Sequence, residues 1–216
     1  MSTSTSTDRT PRRVVVVQAG VGQPSSTRLL AERLATSTTD ALLERGEESV
    51  VEFVDLRLHV HELANAMLTG FASGALAEAV EAVRGADAVI VATPVYQASY
   101  SGLFKSFVDI LEEGSLKGTP VLLAATAGTA RHSLVLEHAM RPLFAHLKAV
   151  TVPTAVFAAS EDWGAGGLDH GLAARVGAAA GELADVVAGA GRPRRTPGRL
   201  DGELADPVPF EQLLAG

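Results

Sequence analysis

The chain has 216 residues, 47% of them hydrophobic and 20% charged, with a formal net charge of −7 and no cysteine. That length suits one domain with a tail, and the apolar share is that of a chain with its own core, not of a disordered one. The negative charge offers no field to a nucleic acid backbone or an anionic bilayer. The missing thiols exclude disulfides, thiolate metal sites, cysteine nucleophiles and iron–sulfur clusters, so redox chemistry would have to come from a bound cofactor.

Residues 1–13 are rich in Ser and Thr and read as a disordered start. The first apolar run, Val14 to Val17, is far too short to cross a bilayer, so a cytoplasmic location is expected. Val14 to Ala19 is a β-branched strand. A Gly-containing loop, Gly20 to Thr27, and a helix from about Arg28 to Arg45, stopped by Gly46, come next. Ser49 to Asp55 is a second strand, and Leu56 to Gly74 reads as irregular. Helices over Ala75–Arg84, Gly102–Leu111 and Leu134–Leu147 then alternate with strands over Ala88–Thr93, Val121–Thr126 and Val150–Ala158, the last interrupted by Pro153. A final helix spans about Leu168 to Ala188, and 190–216 is basic and Pro/Gly-rich near its start, which reads as a tail beyond a domain at 14–189.

Strands apolar on both faces that alternate with helices predict an α/β three-layer sandwich around a five-stranded parallel sheet, flavodoxin-like or small Rossmann-like. With strand order 2-1-3-4-5, ligands belong at the carboxyl ends of the first and third strands, where the order reverses. Three loops meet there: Gly20 to Thr27, Pro94 to Gly102 and Ala127 to His132.

The first loop points free amides and a helix N-terminus at an anion, and a phosphate fits it; Ser25 or Ser26 could equally cap the helix. It lacks the Gly-Lys-Ser/Thr ending of a triphosphate loop and the third glycine of a dinucleotide loop. The second loop holds both tyrosines of the chain, Tyr96 and Tyr100, which suit a planar ligand or an ordinary surface turn. Small residues in the third loop permit close backbone approach, and His132 there reads as a hydrogen-bonding or capping group. His59 and His61, two apart with no third ligand, read as surface residues, and no metal is assigned. No acidic residue or arginine stands out as a ribose-binding group that would separate NADH from NADPH.

Ala92-Thr93-Pro94-Val95-Tyr96 through Ser101-Gly102-Leu103-Phe104-Lys105, Thr126-Ala127-Gly128-Thr129 through His132, Arg141-Pro142 and Leu147-Lys148-Ala149 together resemble the NADPH-dependent FMN reductase family. Its alkanesulfonate-utilisation type and the reductases paired with luciferase-like monooxygenases are the most similar, over roughly Val14 to Trp163. The resemblance implies a flavodoxin-like fold that reduces FMN with NAD(P)H and supplies a partner monooxygenase. It places the FMN phosphate on Ser25, Ser26 and Thr27, in the loop opened by Gly20. Pro94, Val95 and Tyr96 would border the isoalloxazine ring, with Ala127, Gly128, Thr129 and His132 across from them. Relatives often carry an Arg in the phosphate loop; Gln23-Pro24-Ser25-Ser26 has none, with only Arg28 nearby, which implies weak retention of FMN.

The same fold also serves flavodoxin-type electron carriers, and quinone or azo-dye reductases with fixed FMN. Pro142 lies inside the Leu134–Leu147 helix and cannot donate to the His138 carbonyl, which predicts a kink or a single π-turn near His138. In the resembling reductases the corresponding helix carries such a π-turn at a tetramer interface; a solvent-facing kink is the alternative. A homodimer through the Gly102–Leu111 helix is the other assembly the resemblance implies.

Overall fold

The computed structural model describes residues 10–164, 167–168 and 170–189. The tail expected at 190–216, and the expected disordered start as far as residue 9, lie outside the described residues. The elements run β1 (Arg12–Gln18), α1 (Ser26–Glu44), β2 (Ser49–Asp55), α2 (Val60–Thr69), α3 (Gly74–Arg84), β3 (Ala88–Tyr96), β4 (Ser99–Tyr100) and α4 (Gly102–Asp109). They continue with β5 (Pro120–Ala127), α5 (Arg141–His146), β6 (Val150–Thr151), β7 (Val156–Ala159), β8 (Trp163–Gly164), β9 (Gly167–Leu168) and α6 (His170–Gly189).

The main sheet has the order β2-β1-β3-β5-β6, with β7 also paired to β5 and β4 turned back on β3. Its strands are parallel apart from the β3–β4 hairpin. Pro153 separates β6 from β7, as the interrupted run predicted. Counting those two pieces as one strand, the order is the expected flavodoxin-like 2-1-3-4-5. Val14 and Val16 face α1 and α6, where Leu30, Leu34, Leu172 and Leu183 are fully buried against them. Val15 and Val17 face the opposite layer, filled by Leu63, Leu76, Phe104, Phe107 and Phe144. Each such side chain removed from water contributes roughly 1.5–3 kcal/mol, so both faces of the sheet must be covered.

Several boundaries differ from the expectation. Arg12 and Arg13, assigned above to the disordered start, belong to β1. Arg12 Nε donates to Glu47 at 2.8 Å with both side chains about a tenth exposed, and the Arg13 N–H donates to Asp87 at 2.8 Å. The segment read as irregular contains a short 3-10 turn and then α2. This helix is only ten residues long and buries only Leu63 and Ala66, while Val60, Met67 and Leu68 are exposed, so little of its pattern stands out. β3 runs three residues further than expected, into a hairpin whose central residues, Gln97 and Ala98, have φ of 49° and 66°. Turns of that kind usually carry Asn or Gly, and Gln-Ala gives no such signal.

The last helix before β6 carries the expected π-turn. It spans Leu136–Met140, centred on His138, and the Arg141 N–H reaches back to the Leu136 carbonyl. Pro142 follows at the start of α5 without an N–H to close the usual bond, so the ladder slips there. Arg141 fixes the slipped turn to the sheet. Its guanidinium donates to Thr151 Oγ1 at 2.9 Å, to the Val152 and Pro153 carbonyls at 3.1 and 3.0 Å, and to Glu137.

These bonds hold the Glu137 carboxyl below the usual carboxylate range. Their stabilisation is therefore present above that range and lost as pH falls through the lowered value. Arg141→Gln is expected to cost about 2 kcal/mol in urea unfolding at neutral pH, because charge-assisted bonds to carbonyls are lost. The part of that difference carried by the Glu137 pair should narrow as pH falls through the lowered value and Glu137 takes up its proton.

Candidate functional site

The carboxyl ends of β1, β3 and β5 meet on one edge of the sheet, and each feeds a loop held by its own side chains. After β1, the Gln18 side chain is 2% exposed and its Oε1 accepts the Gly20 N–H at 2.8 Å, folding the chain back at once. A Cβ at Gly20 would lie 2.1 Å from Ser25 Oγ and 3.0 Å from both Gln18 Oε1 and Thr27 Cβ, so only glycine closes this turn. The Gln23–Pro24 peptide is cis. Ser25 caps α1, its Oγ accepting the Arg28 N–H at 3.2 Å, which leaves its own O–H free to donate to a ligand. Thr27 is buried, and its Oγ1 lies 2.6 Å from Thr126 Oγ1, tying the α1 N-terminus to the end of β5.

After β3, the buried Thr93 hydroxyl accepts the Ser101 N–H at 3.1 Å and closes the hairpin, while Ser101 Oγ caps α4. The two tyrosines divide. Tyr96 is exposed beside the hairpin turn, whereas Tyr100 turns inward onto the Phe104 ring at 5.9 Å. After β5, Thr129 Oγ1 accepts the Arg131 N–H and caps a 3-10 turn, Ala130–His132.

One cleft joins the three loops. Of the candidate residues, Gly20, Ser25, Ser26, Thr27, Pro94, Val95, Tyr96, Ala127 and Gly128 line it. Thr129 and His132 stand beyond its lining, on the 3-10 turn. Val21, Gly22, Pro24, Thr126 and Ser160 complete the wall and were not singled out from the sequence. The signal for Ser160 is that it follows the end of β7, at the edge where ligands of open sheets collect.

None of the lining residues is charged. An anion there would be met by the α1 N-terminal amides and the Ser25 and Ser26 hydroxyls, and not by a guanidinium. Arg28, the nearest arginine in sequence, points away: its Nε donates to Glu32 at 2.8 Å. A Cβ at Gly128 would meet nothing within 4 Å, so the glycine leaves that flank open for a flat ligand. Amides and hydroxyls at one end with small residues and Tyr96 along the sides fit a phosphate-tailed ring such as FMN. His59, one of the two histidines considered for a metal, is paired instead, its Nδ1 2.7 Å from Glu62. Among the described residues no three His, Asp or Glu side chains converge on a metal position, and no single helix is long and apolar enough to cross a membrane.

Residues 12–164 match the family model described as NADPH-dependent FMN reductase. The chain belongs to that family. An FMN reductase (NADPH) of Pseudomonas aeruginosa is 37% identical over 153 residues, 71% of this chain and 80% of that protein. The NADH-dependent FMN reductase SfnE of Pseudomonas putida is 36% identical over the same shares. Among solved structures, an oxidoreductase from Corynebacterium diphtheriae superposes with a TM-score of 0.80 at 44% identity, covering 84% of this chain and 99% of that one.

The β1–α1 loop is closed by Gly20 and holds no arginine. Gly20→Ala forces Ser25 and Gln18 apart. FMN binding, followed by quenching of flavin fluorescence, is expected to weaken about tenfold or more, the worth of one charge-assisted hydrogen bond.

Proposed function

We propose that this chain oxidises NAD(P)H, reduces FMN and releases the reduced flavin to a flavin-dependent monooxygenase. Membership of the FMN reductase family supports the reaction. The observation that carries the release is the lining of the cleft, uncharged among the described residues, which offers a phosphate neutral donors alone. Hydrogen bonds between a neutral donor and an anion are weaker than guanidinium–phosphate pairs, so the flavin exchanges.

In this reading FMN supplies the hydride acceptor, its ring N5. The chain's residues bind and orient. Ser25, Ser26 and the amides from Ser26 onward receive the phosphate, while Thr27 keeps the helix end in place through Thr126. Pro94, Val95 and Tyr96 border the ring on one side and Ala127 and Gly128 on the other, with Thr129 and His132 just outside. A bound flavin would supply the hydride chemistry itself, so no strong acid or base is called for and positioning would be the protein's share of the rate. The tight Gln97-Ala98 turn serves that positioning, because it holds Tyr96 at a fixed angle on a short hairpin.

The reading extends to assembly and setting: a single domain that begins with β1 at Arg12 and runs to 189, located in the cytoplasm, working as a homodimer or tetramer. Beside α4, the helix α2 and its flanks expose Leu58, Val60, Met67, Leu68 and Phe71, an apolar surface that a second copy would cover. The π-turn at His138 is the corresponding element for a tetramer. The relatives' names divide between NADPH and NADH, and both nucleotides belong in the assay.

Purified protein is expected to be colourless and to oxidise NAD(P)H with saturable dependence on FMN. Riboflavin, which lacks the phosphate, should show a KM at least about fivefold higher. A stoichiometric yellow complex that survives dialysis would sink the release of flavin and favour a quinone or azo-dye reductase with fixed FMN.

A further inference from the structure

The β1–α1 loop has a second side. Toward β2 it walls another cleft, whose remaining lining includes Gln18, Arg28, Asp55 and Arg57. The two clefts share Gly20, Gly22 and Ser25, so they are separated by the thickness of one loop. Asp55, the last residue of β2, accepts the Arg57 N–H at 3.1 Å through Oδ1. Its Oδ2 lies 3.5 Å from Arg57 Nη2 and 3.8 Å from Arg28 Nη1.

Tight pairs between a guanidinium and a carboxylate close to about 2.7–2.9 Å, so one carboxylate holds both arginines only loosely. Arg28 spends its Nε on Glu32, and the two acids balance the two arginines in this cluster. Among the described residues the Arg57 guanidinium has no partner but Asp55, although its side chain is only 30% exposed. Gln18 is 2% exposed, and with Oε1 taken by the Gly20 N–H its amide N–H donors have no protein partner among the described residues. Unspent donors on a buried amide and a half-buried guanidinium, lining a cleft beside a phosphate loop, are placed for an oxyanion with hydroxyls attached.

The position identifies the anion further. In dinucleotide-binding sheets a diphosphate on the first βα loop sets the next ribose against the acidic residue that ends the second strand; the loop here lacks their third glycine, so the likeness is one of position alone. Asp55 stands at that place, with an arginine on either side. We propose that the β2-side cleft is an adenylate subsite, in which Arg57 and Arg28 take a phosphate and Asp55 the ribose hydroxyls of the adenosine half of a dinucleotide. That dinucleotide is either FAD or the nicotinamide reductant. The placement deepens the flavin reading and rests on it for the phosphate across the loop.

The test is calorimetric titration of flavin-free protein with ADP and with adenosine 2′,5′-bisphosphate, for the wild type and Arg57→Gln. The wild type binds at least one of them, and the variant's Kd for it rises about fivefold or more, with Arg28→Gln as a second variant should the first not fold. Steady-state KM values then name the source. A rise for FAD marks the flavin; a rise for NADPH or NADH marks the reductant. The subsite is overturned if neither nucleotide binds the wild type, if the variants bind it unchanged, or if FMN loses affinity by the same factor. Nucleotide binding in a protein that shows no NAD(P)H:FMN turnover would keep the subsite and remove the reductase reading.

Discussion

Burial of β1 on both faces is the constraint from which the site follows. Val14 to Val17 are at most 1% exposed, and a strand without a wet face needs helices above and below it. Those helices leave the sheet open only along its strand ends and outer edges. Polar groups gather where the backbone leaves the core, and at β1, β3 and β5 that happens within one patch. The cleft is therefore a consequence of the valine run as much as of the loops themselves.

The loop after β1 has to turn within two residues of the core. Gln18 makes this possible by supplying, from inside the protein, the acceptor that the Gly20 N–H would otherwise lack. The same side chain lines the β2-side cleft, with its oxygen committed to the loop. Structural duty and the proposed ligand contact thus meet in one amide. Replacing it would disturb both sides of the loop together, which is why the arginines on the β2 side are the cleaner probes.

Much of this was legible in the sequence because it depends on local pattern. The β-branched runs gave the strands, Gly46 the end of α1, where φ is +73°, and Pro142 the slipped turn at His138. Nine of the eleven residues picked from three loops share one cleft, since strand order alone brings strand ends together. The failures have physical causes of their own. α2 is only ten residues long and buries just Leu63 and Ala66, so it offers little pattern from which to read a helix. The hairpin at Gln97 and Ala98 adopts left-handed backbone without the residues that favour it. Arg28, Asp55 and Arg57 come from two different elements, and only the pairing of β1 with β2 places them at one loop.

The distribution of charge around that loop gives the molecule its character. A phosphate loop with an arginine inside it holds flavin firmly, whereas this chain keeps its arginines on the far side, engaged with Asp55 and Glu32. In the proposed mode the phosphate of FMN would meet dipoles that weaken quickly with distance, enough to align the ligand without retaining it. A ligand that extends past the loop would meet the arginines as well and gain the ionic contacts that FMN lacks. Under the proposed subsite, discrimination between a mononucleotide and a dinucleotide would be set by which side of a single loop carries the positive charge.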